Sequence, residues 1–274
     1  MRLGLVLWLV VGVAAGQQPV GGQPGIDGPP VCPVAGGAKA APKAVAARPS
    51  AEAAKATAER EAANPDVLVA AEPIANFGVE RYRLQDYGDC VGSEGCYWKD
   101  LDAQFQRAEF ALSADLAKHA KGEKLALVLD IDETTLSSYC EMKRESFGFI
   151  AAMNNAWIVT PEAAVGIPGA LRVYREARAA GVAVFFLTGR PEEQRAATER
   201  NLRAVGFDGW AGLVLRSAEE THMPTVEYKS LERKRMVEAG YRLAMNVGDQ
   251  WSDLTGEPRA EVSVKLPNPF YYLP

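Results

Sequence analysis

Two aspartates one residue apart, Asp130 and Asp132, follow directly on the apolar run Leu125 to Leu129. Carboxylates are costly to bury unless they are neutralised or hydrogen-bonded. A surface turn would keep such a pair in water, and the mouth of an active site would keep it against a cation. The same spacing in Asp100-Leu101-Asp102, near the start of an amphipathic helix, needs no function because acids favour a helix N-terminus. Position has to separate the two cases. Thr188, Gly189 and Arg190 follow the apolar run Val182 to Leu187, and Asp249 follows Arg242 to Val247, with Asp253 close behind. Lys229 stands just before the helical stretch that begins at Ser230.

These groups suit phosphoryl transfer from a monoester, a reaction that enzymes accelerate by up to about 10²¹-fold. A carboxylate that attacks phosphorus splits one hard step into two through an acyl phosphate. Carboxylate and phosphate dianion repel, so a hard cation is required between them. Magnesium takes oxygen ligands at about 2.0–2.1 Å and keeps some of its waters. Asp130 and Asp249 would supply ligands and charge. Asp132 would protonate the leaving oxygen and later activate water. Thr188 and the amides that follow it would bind phosphate oxygens, and Lys229 would add a compact positive charge.

The elements that must position them read as an α/β chain. Apolar strands at 125–129, 182–187, 212–216, 242–247 and 261–265 alternate with helical stretches, the pattern of a Rossmann-like parallel sheet with helices on both faces. Sites in such sheets form beyond the carboxyl ends of the strands. The acids, Thr188 and Gly189 all fall there. Leu101, Phe105, Ala108, Leu112 and Leu116 recur at helical spacing ahead of the first strand. Pro191, Glu192 and Glu193 are expected in the first turn of a helix.

The 274 residues carry a net charge of −5 and no basic block, which argues against a nucleic-acid polymer as partner. Arg2, the apolar run Leu3 to Ala15 and the small residues around Gly16 read as an export signal over 1–16, too short for a comfortable membrane span. Residues 17–65, rich in Ala, Pro and Gly, are expected to be a disordered tether holding at most a transient helix at 50–64. An exported, periplasmic or secreted, chain is therefore expected, without a stable span once the signal is removed. Four cysteines, Cys32, Cys90, Cys96 and Cys140, allow three pairings, and Cys90 with Cys96 is favoured. His119 reads as a surface group near a helix C-terminus. His222 has no evident partner.

"DIDET", "FFLTGR", "EYKSLERKRMVEAGYRLAMNVGDQWSDL" and "VKLPNPFYYLP" resemble the signatures and C-terminal tail of haloacid-dehalogenase (HAD)-superfamily acid phosphatases. The likeness is to the class B-type group of plant vegetative storage proteins and secreted bacterial acid phosphatases, over about residues 66–274. It implies a HAD-like domain with Asp130 as nucleophile, Asp132 as acid/base, and Thr188, Gly189 and Lys229 on phosphate. Asp130, Asp249 and the main-chain carbonyl of Asp132 would hold Mg²⁺, with Asp253 in support. A small cap, about 136–166, would cover the site. Tyr139, Phe147, Phe149 and Trp157 lie in it, and Tyr139 and Trp157 are the candidates to contact an aryl or nucleotide substrate.

A cysteine phosphatase needs Cys-x₅-Arg, and neither Cys90 nor Cys140 has Arg six residues on. Neither histidine has an adjacent Arg for a histidine phosphatase. The reading is an exported, Mg²⁺-dependent acid phosphatase acting on small phosphomonoesters, with an oligomer compatible. The alternatives are a storage or binding protein that turns over poorly and a phosphotransferase.

Overall fold

The computed structural model describes residues 28–32 and 49–273, apart from 72, 94 and 121. The expected export signal and most of the expected tether lie outside these residues. In chain order the elements are α1 (Ala51–Ala62), α2 (Phe77–Asp89), α3 (Tyr97–Leu116), β1 (Leu125–Leu129), α4 (Tyr139–Arg144), α5 (Ala151–Ile158) and α6 (Pro168–Ala179). They continue with β2 (Ala183–Pro191), α7 (Arg195–Ala204), β3 (Gly212–Arg216), α8 (Thr225–Glu238), β4 (Arg242–Gly248), α9 (Trp251–Leu254) and β5 (Val262–Lys265).

The five strands form one parallel sheet in the order β3-β2-β1-β4-β5. β1 lies at its centre, so its residues must be apolar on both faces. Leu127 and Leu129 join the core under α3 and α6, whereas Ala126 and Val128 join the core under α8. The helical stripe on α3 is buried as its spacing predicts: Leu101, Phe105, Ala108 and Leu112 are at most 1% exposed. Asp102, from the comparison pair of acids, meets Arg172 of α6 at 2.7 Å.

Two boundaries move. β2 continues beyond Leu187 to Pro191, with a register shift against β3, because Pro191 keeps an extended conformation (φ −73°, ψ 155°). A 3₁₀ turn at Glu192–Gln194 comes next, so Pro191 to Glu193 do not open an α-helix. α8 begins at Thr225, five residues before the expected helical stretch, and this places Lys229 in its second turn.

The tether expectation needs correction where the structure describes it. Cys32 is bonded to Cys140 of α4, which leaves Cys90 with Cys96. Ser50 caps α1, and the buried Ala51 donates its amide to Asp86 of α2 at 2.9 Å. A covalent bond and a buried capped helix start thus fasten two points of the segment read as free. His119 is also not a surface group: its side chain is 4% exposed and lies within 3.4 Å of Asp115, Glu123 and Glu261. Burial pulls its pKa down, but the hydrogen bonds its ring donates to Glu123 and Asp115 and the charge of Glu261 outweigh that and raise it. Among the described residues no helix is long and apolar enough to cross a membrane.

Candidate active site

Asp130 and Asp132 leave β1 on either side of Ile131, which is fully buried. Alternate residues of an extended chain project to one side, so this spacing presents two carboxylates at one strand end while Ile131 anchors them. The next residue, Glu133, takes a left-handed conformation (φ 53°). That is uncommon for a residue with a side chain and concentrates at functional turns. Its fully buried carboxylate accepts from the Ser138 amide (2.5 Å) and hydroxyl (2.8 Å) on one oxygen, and from Tyr97 (3.0 Å) on the other. Burial pushes its pKa up to about 7 against the Ser138 bonds. Glu133 braces the loop from inside.

β4 ends next to β1 and delivers Asp249. The turn after it is closed by Asp253, whose Oδ2 accepts the Gln250 amide at 2.8 Å. Gly248 is required here, because a Cβ on it would sit 2.3 Å from that of Asp253. Asp130, Asp249 and Asp253 bring carboxylate oxygens within 4.8 Å of one another. Lys229, with a side chain 4% exposed, reaches in from α8 and donates to Asp130 Oδ1 (2.6 Å) and to Asp253 Oδ1. Both oxygens of Asp253 are thereby occupied. No hydrogen bond from the described residues reaches Asp130 Oδ2.

Three acids are buried together and Lys229 bonds to two of them, Asp130 and Asp253, and the electrostatics reflect it. Burial drives the Asp130 pKa well up; Lys229 opposes this, and Asp253, Asp249 and Asp132 add to it. Asp249 is pushed up to about 6, first by burial and then by Asp253. Lys229 stays protonated: burial disfavours its charge, but Asp130 and Asp253 overcome that and raise its pKa. Such a set is short of positive charge. All-oxygen, anionic donors at this spacing fit a hard divalent cation.

The acids open into a cavity of about 630 Å³ between the strand ends and the cap. The cap lies between β1 and α6, closed at its base by a bridge between Leu136 and Gly166. It contributes Phe149, Asn154, Asn155 and Ile158 to the lining. Tyr139 and Trp157 do not line it, which corrects the expectation for both. Tyr139 is fully buried, donates to Asp89 (2.8 Å) and packs against Trp98 and Phe270, while Trp157 packs with Ile158 and Ala163. From β2, Gly189 and Arg190 line the cavity. Thr188 is fully buried beside them, and its hydroxyl accepts the Arg190 amide at 3.2 Å.

Sequence reasoning gave Arg190 no role. Its guanidinium grips the Asp132 carboxylate through Nε (3.0 Å) and Nη2 (2.7 Å), with Nη1 on Thr198 of α7 at 3.1 Å. The fork matches a carboxylate in a way lysine cannot. Its place at the end of the second strand was visible in the sequence, but the partner was not. Asn268 was also missed: it donates to Asp249 Oδ2 at 2.6 Å from the C-terminal tail, inside "VKLPNPFYYLP".

Residues 49–274 match the family described as HAD superfamily, subfamily IIIB (Acid phosphatase). Acid phosphatase 1 of Solanum lycopersicum is 36% identical over 181 residues, 65% of this chain and 69% of that protein. Vegetative storage protein 2 of Arabidopsis thaliana is 30% identical over 211 residues, 73% of this chain and 79% of its own. Among solved structures, the class C acid phosphatase from Bacillus anthracis with tungstate bound superposes with a TM-score of 0.54 at 21% identity, over 71% of this chain and 87% of that one. That likeness speaks for the fold alone. A parallel sheet with carboxylates at the ends of the adjacent strands β1 and β4, a buried lysine among them and a family match over residues 49–274 agree: the chain belongs to subfamily IIIB of the HAD superfamily, the acid phosphatases, whose reaction is the hydrolysis of phosphomonoesters.

Proposed function

We propose that this chain is an exported, magnesium-dependent phosphomonoesterase that works through a phosphoryl-aspartate at Asp130. The observation that carries the reading is the buried cluster of Asp130, Asp249 and Asp253 held by Lys229 at the mouth of one cavity. Asp130 and Asp249, with the main-chain carbonyl of Asp132, would hold the cation, since the Asp132 carboxylate is occupied by Arg190 and both Asp253 oxygens are engaged. The bound cation supplies positive charge that lets an anion approach an anionic site.

Asp130 Oδ2 attacks phosphorus; the new O–P bond forms as the ester P–O bond breaks. Asp132 gives a proton to the departing oxygen. In the second half, Asp132 takes a proton from water as its oxygen attacks phosphorus, and the P–O bond to Asp130 breaks to release phosphate. Lys229 holds Asp130 in place and counters charge on the phosphoryl oxygens. Gly189, with no side chain, lets those oxygens come close to the main chain, and Thr188 holds the turn by accepting the Arg190 amide.

Arg190 positions Asp132. Arg190→Lys keeps the charge and loses the fork, and misplacement of a reacting group by about 1 Å can lower rate by about 10²-fold. A fall of that order in kcat is expected, with KM for p-nitrophenyl phosphate changed much less, as steady-state kinetics would show.

The test of the whole reading is phosphate release from p-nitrophenyl phosphate. Turnover is expected with Mg²⁺, background with EDTA, and recovery when Mg²⁺ is restored. A folded chain that binds Mg²⁺ and releases no phosphate would favour storage, which the storage-protein relatives make the second reading. Phosphorylated alcohol formed when an acceptor is added would mark a phosphotransferase. Export rests on the basic and apolar N-terminal segment, and the substrates in view are small esters that fit a cavity of about 630 Å³.

A further inference from the structure

After β5 the chain runs back across the site. Leu266 donates its amide to Gly248 at 2.9 Å, extending the ladder beyond the last strand. Phe270 then inserts into an aromatic cluster, with its ring centroid 4.8 Å from that of Tyr97 and 5.7 Å from that of Phe147 in the cap. Between these anchors the tail is tied to the loop that carries Asp249. Asn268 Oδ1 accepts the amides of Phe270 (2.8 Å) and Tyr271 (3.4 Å), and its Nδ2 donates to Asp249 Oδ2 (2.6 Å). Gln250 donates to the same Oδ2 at 2.6 Å and accepts the Leu273 amide at 3.1 Å. The orientation of the Asn268 amide is settled by chemistry, since a flipped amide would set oxygen against carboxylate and NH₂ against two N–H groups.

Two consequences follow for Asp249. One of its oxygens is pinned by two N–H donors, so the other is aimed, and among the described residues only Thr134 donates a hydrogen bond to it, at 3.3 Å. Outer partners that orient a ligating carboxylate in this way typically change metal affinity by about 10–100-fold when removed. The tail side chains also matter, because Tyr271, Tyr272 and Leu273 form one wall of the cavity.

We infer that Asn268 makes the C-terminal segment 266–273 part of the cation site: docking of the tail orients Asp249 for the cation, and the bound cation holds the tail, and with it the cavity wall, in place. The inference rests on the reading that Asp249 binds a divalent cation. Linkage makes it quantitative. Whatever factor the docked tail contributes to cation affinity, the cation must return to tail docking.

The test uses the full chain with Mg²⁺ alone, as wild type, Asn268→Ala and Asn268→Ser. The serine variant keeps an acceptor for the tail amides but is too short to reach Asp249, and it stands in if the alanine variant does not fold. Calorimetric titration should show the Mg²⁺ Kd rising about 10–100-fold in both. Hydrogen exchange should show Mg²⁺ protecting the amides of 270–273 in wild type and failing to do so in the variants. A tail with only a structural role would lower Tm equally with and without Mg²⁺, whereas linkage requires a larger Mg²⁺-induced rise in wild type. Unchanged Kd in the variants, or tail exchange indifferent to Mg²⁺, overturns the inference and leaves the cation reading standing. A wild-type chain that binds no Mg²⁺ overturns the cation reading, and the inference falls with it.

Discussion

Lys229→Met should destabilise the metal-free protein by about 3–5 kcal/mol, the range for breaking a buried ion pair from one side. Lys229 is almost entirely buried and is shared by Asp130 and Asp253, with Asp249 close by. Methionine fills similar space, so the change removes charge and hydrogen bonds far more than volume. The carboxylates it leaves behind repel one another in a site where burial already resists their ionisation. Turnover should fall about 10²–10³-fold, the usual loss for one electrostatic stabiliser of the transition state. The two effects should separate with cation. Mg²⁺ at 100 times its Kd stabilises by about 2.7 kcal/mol through binding alone, and the variant should bind more tightly because its acids lack another counter-charge. Urea unfolding with and without Mg²⁺, beside kcat/KM on p-nitrophenyl phosphate, reads both. A variant as stable as wild type without cation would mean that the cluster does not carry the negative charge assigned to it.

Asp130→Asn is expected to show the opposite pairing of effects. The amide is isosteric and its oxygen can still accept from Lys229, but it is no nucleophile. Turnover should drop by about 10⁴-fold or more, the scale seen when a covalent nucleophile is removed. Stability should not drop. The Asp130 pKa is held well above its ordinary value, first by burial, so its charge is unfavourable in the folded chain. A neutral side chain there relieves Asp249 and Asp253, and the metal-free variant should melt at or above the wild-type temperature. Stability gained where activity is lost is the usual mark of a site arranged for chemistry rather than folding. Thermal melts of the metal-free proteins, paired with phosphate release, give both numbers.

Strands were legible in the sequence because a parallel sheet covered on both faces needs continuous apolar runs, and Leu125 to Leu129 is such a run. The site followed from the ends of those runs, where Asp130, Asp132, Gly189, Asp249 and Asp253 all come to one cavity, with Lys229 added from α8. Pairings across the fold were less visible. No spacing rule joins Arg190 to Asp132, or Asn268 to Asp249, because those contacts depend on how strands and tail are placed in space. Tyr139 misled for a related reason. An aromatic residue in a cap can face substrate or core, and its neighbours Trp98 and Phe270 come from distant segments. The segment before residue 66 was read as free from its composition, yet single residues, Cys32 and Ala51, fasten it. The family match also begins at residue 49, earlier than the resemblance suggested.

The claim at the centre is a phosphoryl group on Asp130, and the direct measurement is to catch it there. Wild-type chain with Mg²⁺ is mixed with excess p-nitrophenyl phosphate, quenched in acid during turnover and digested for mass spectrometry. One added phosphoryl group is predicted on the peptide carrying Asp130, absent from Asp130→Asn and lost on treatment with hydroxylamine, which cleaves acyl phosphates. Phosphoryl on another residue, or undiminished turnover by Asp130→Asn, would contradict the account.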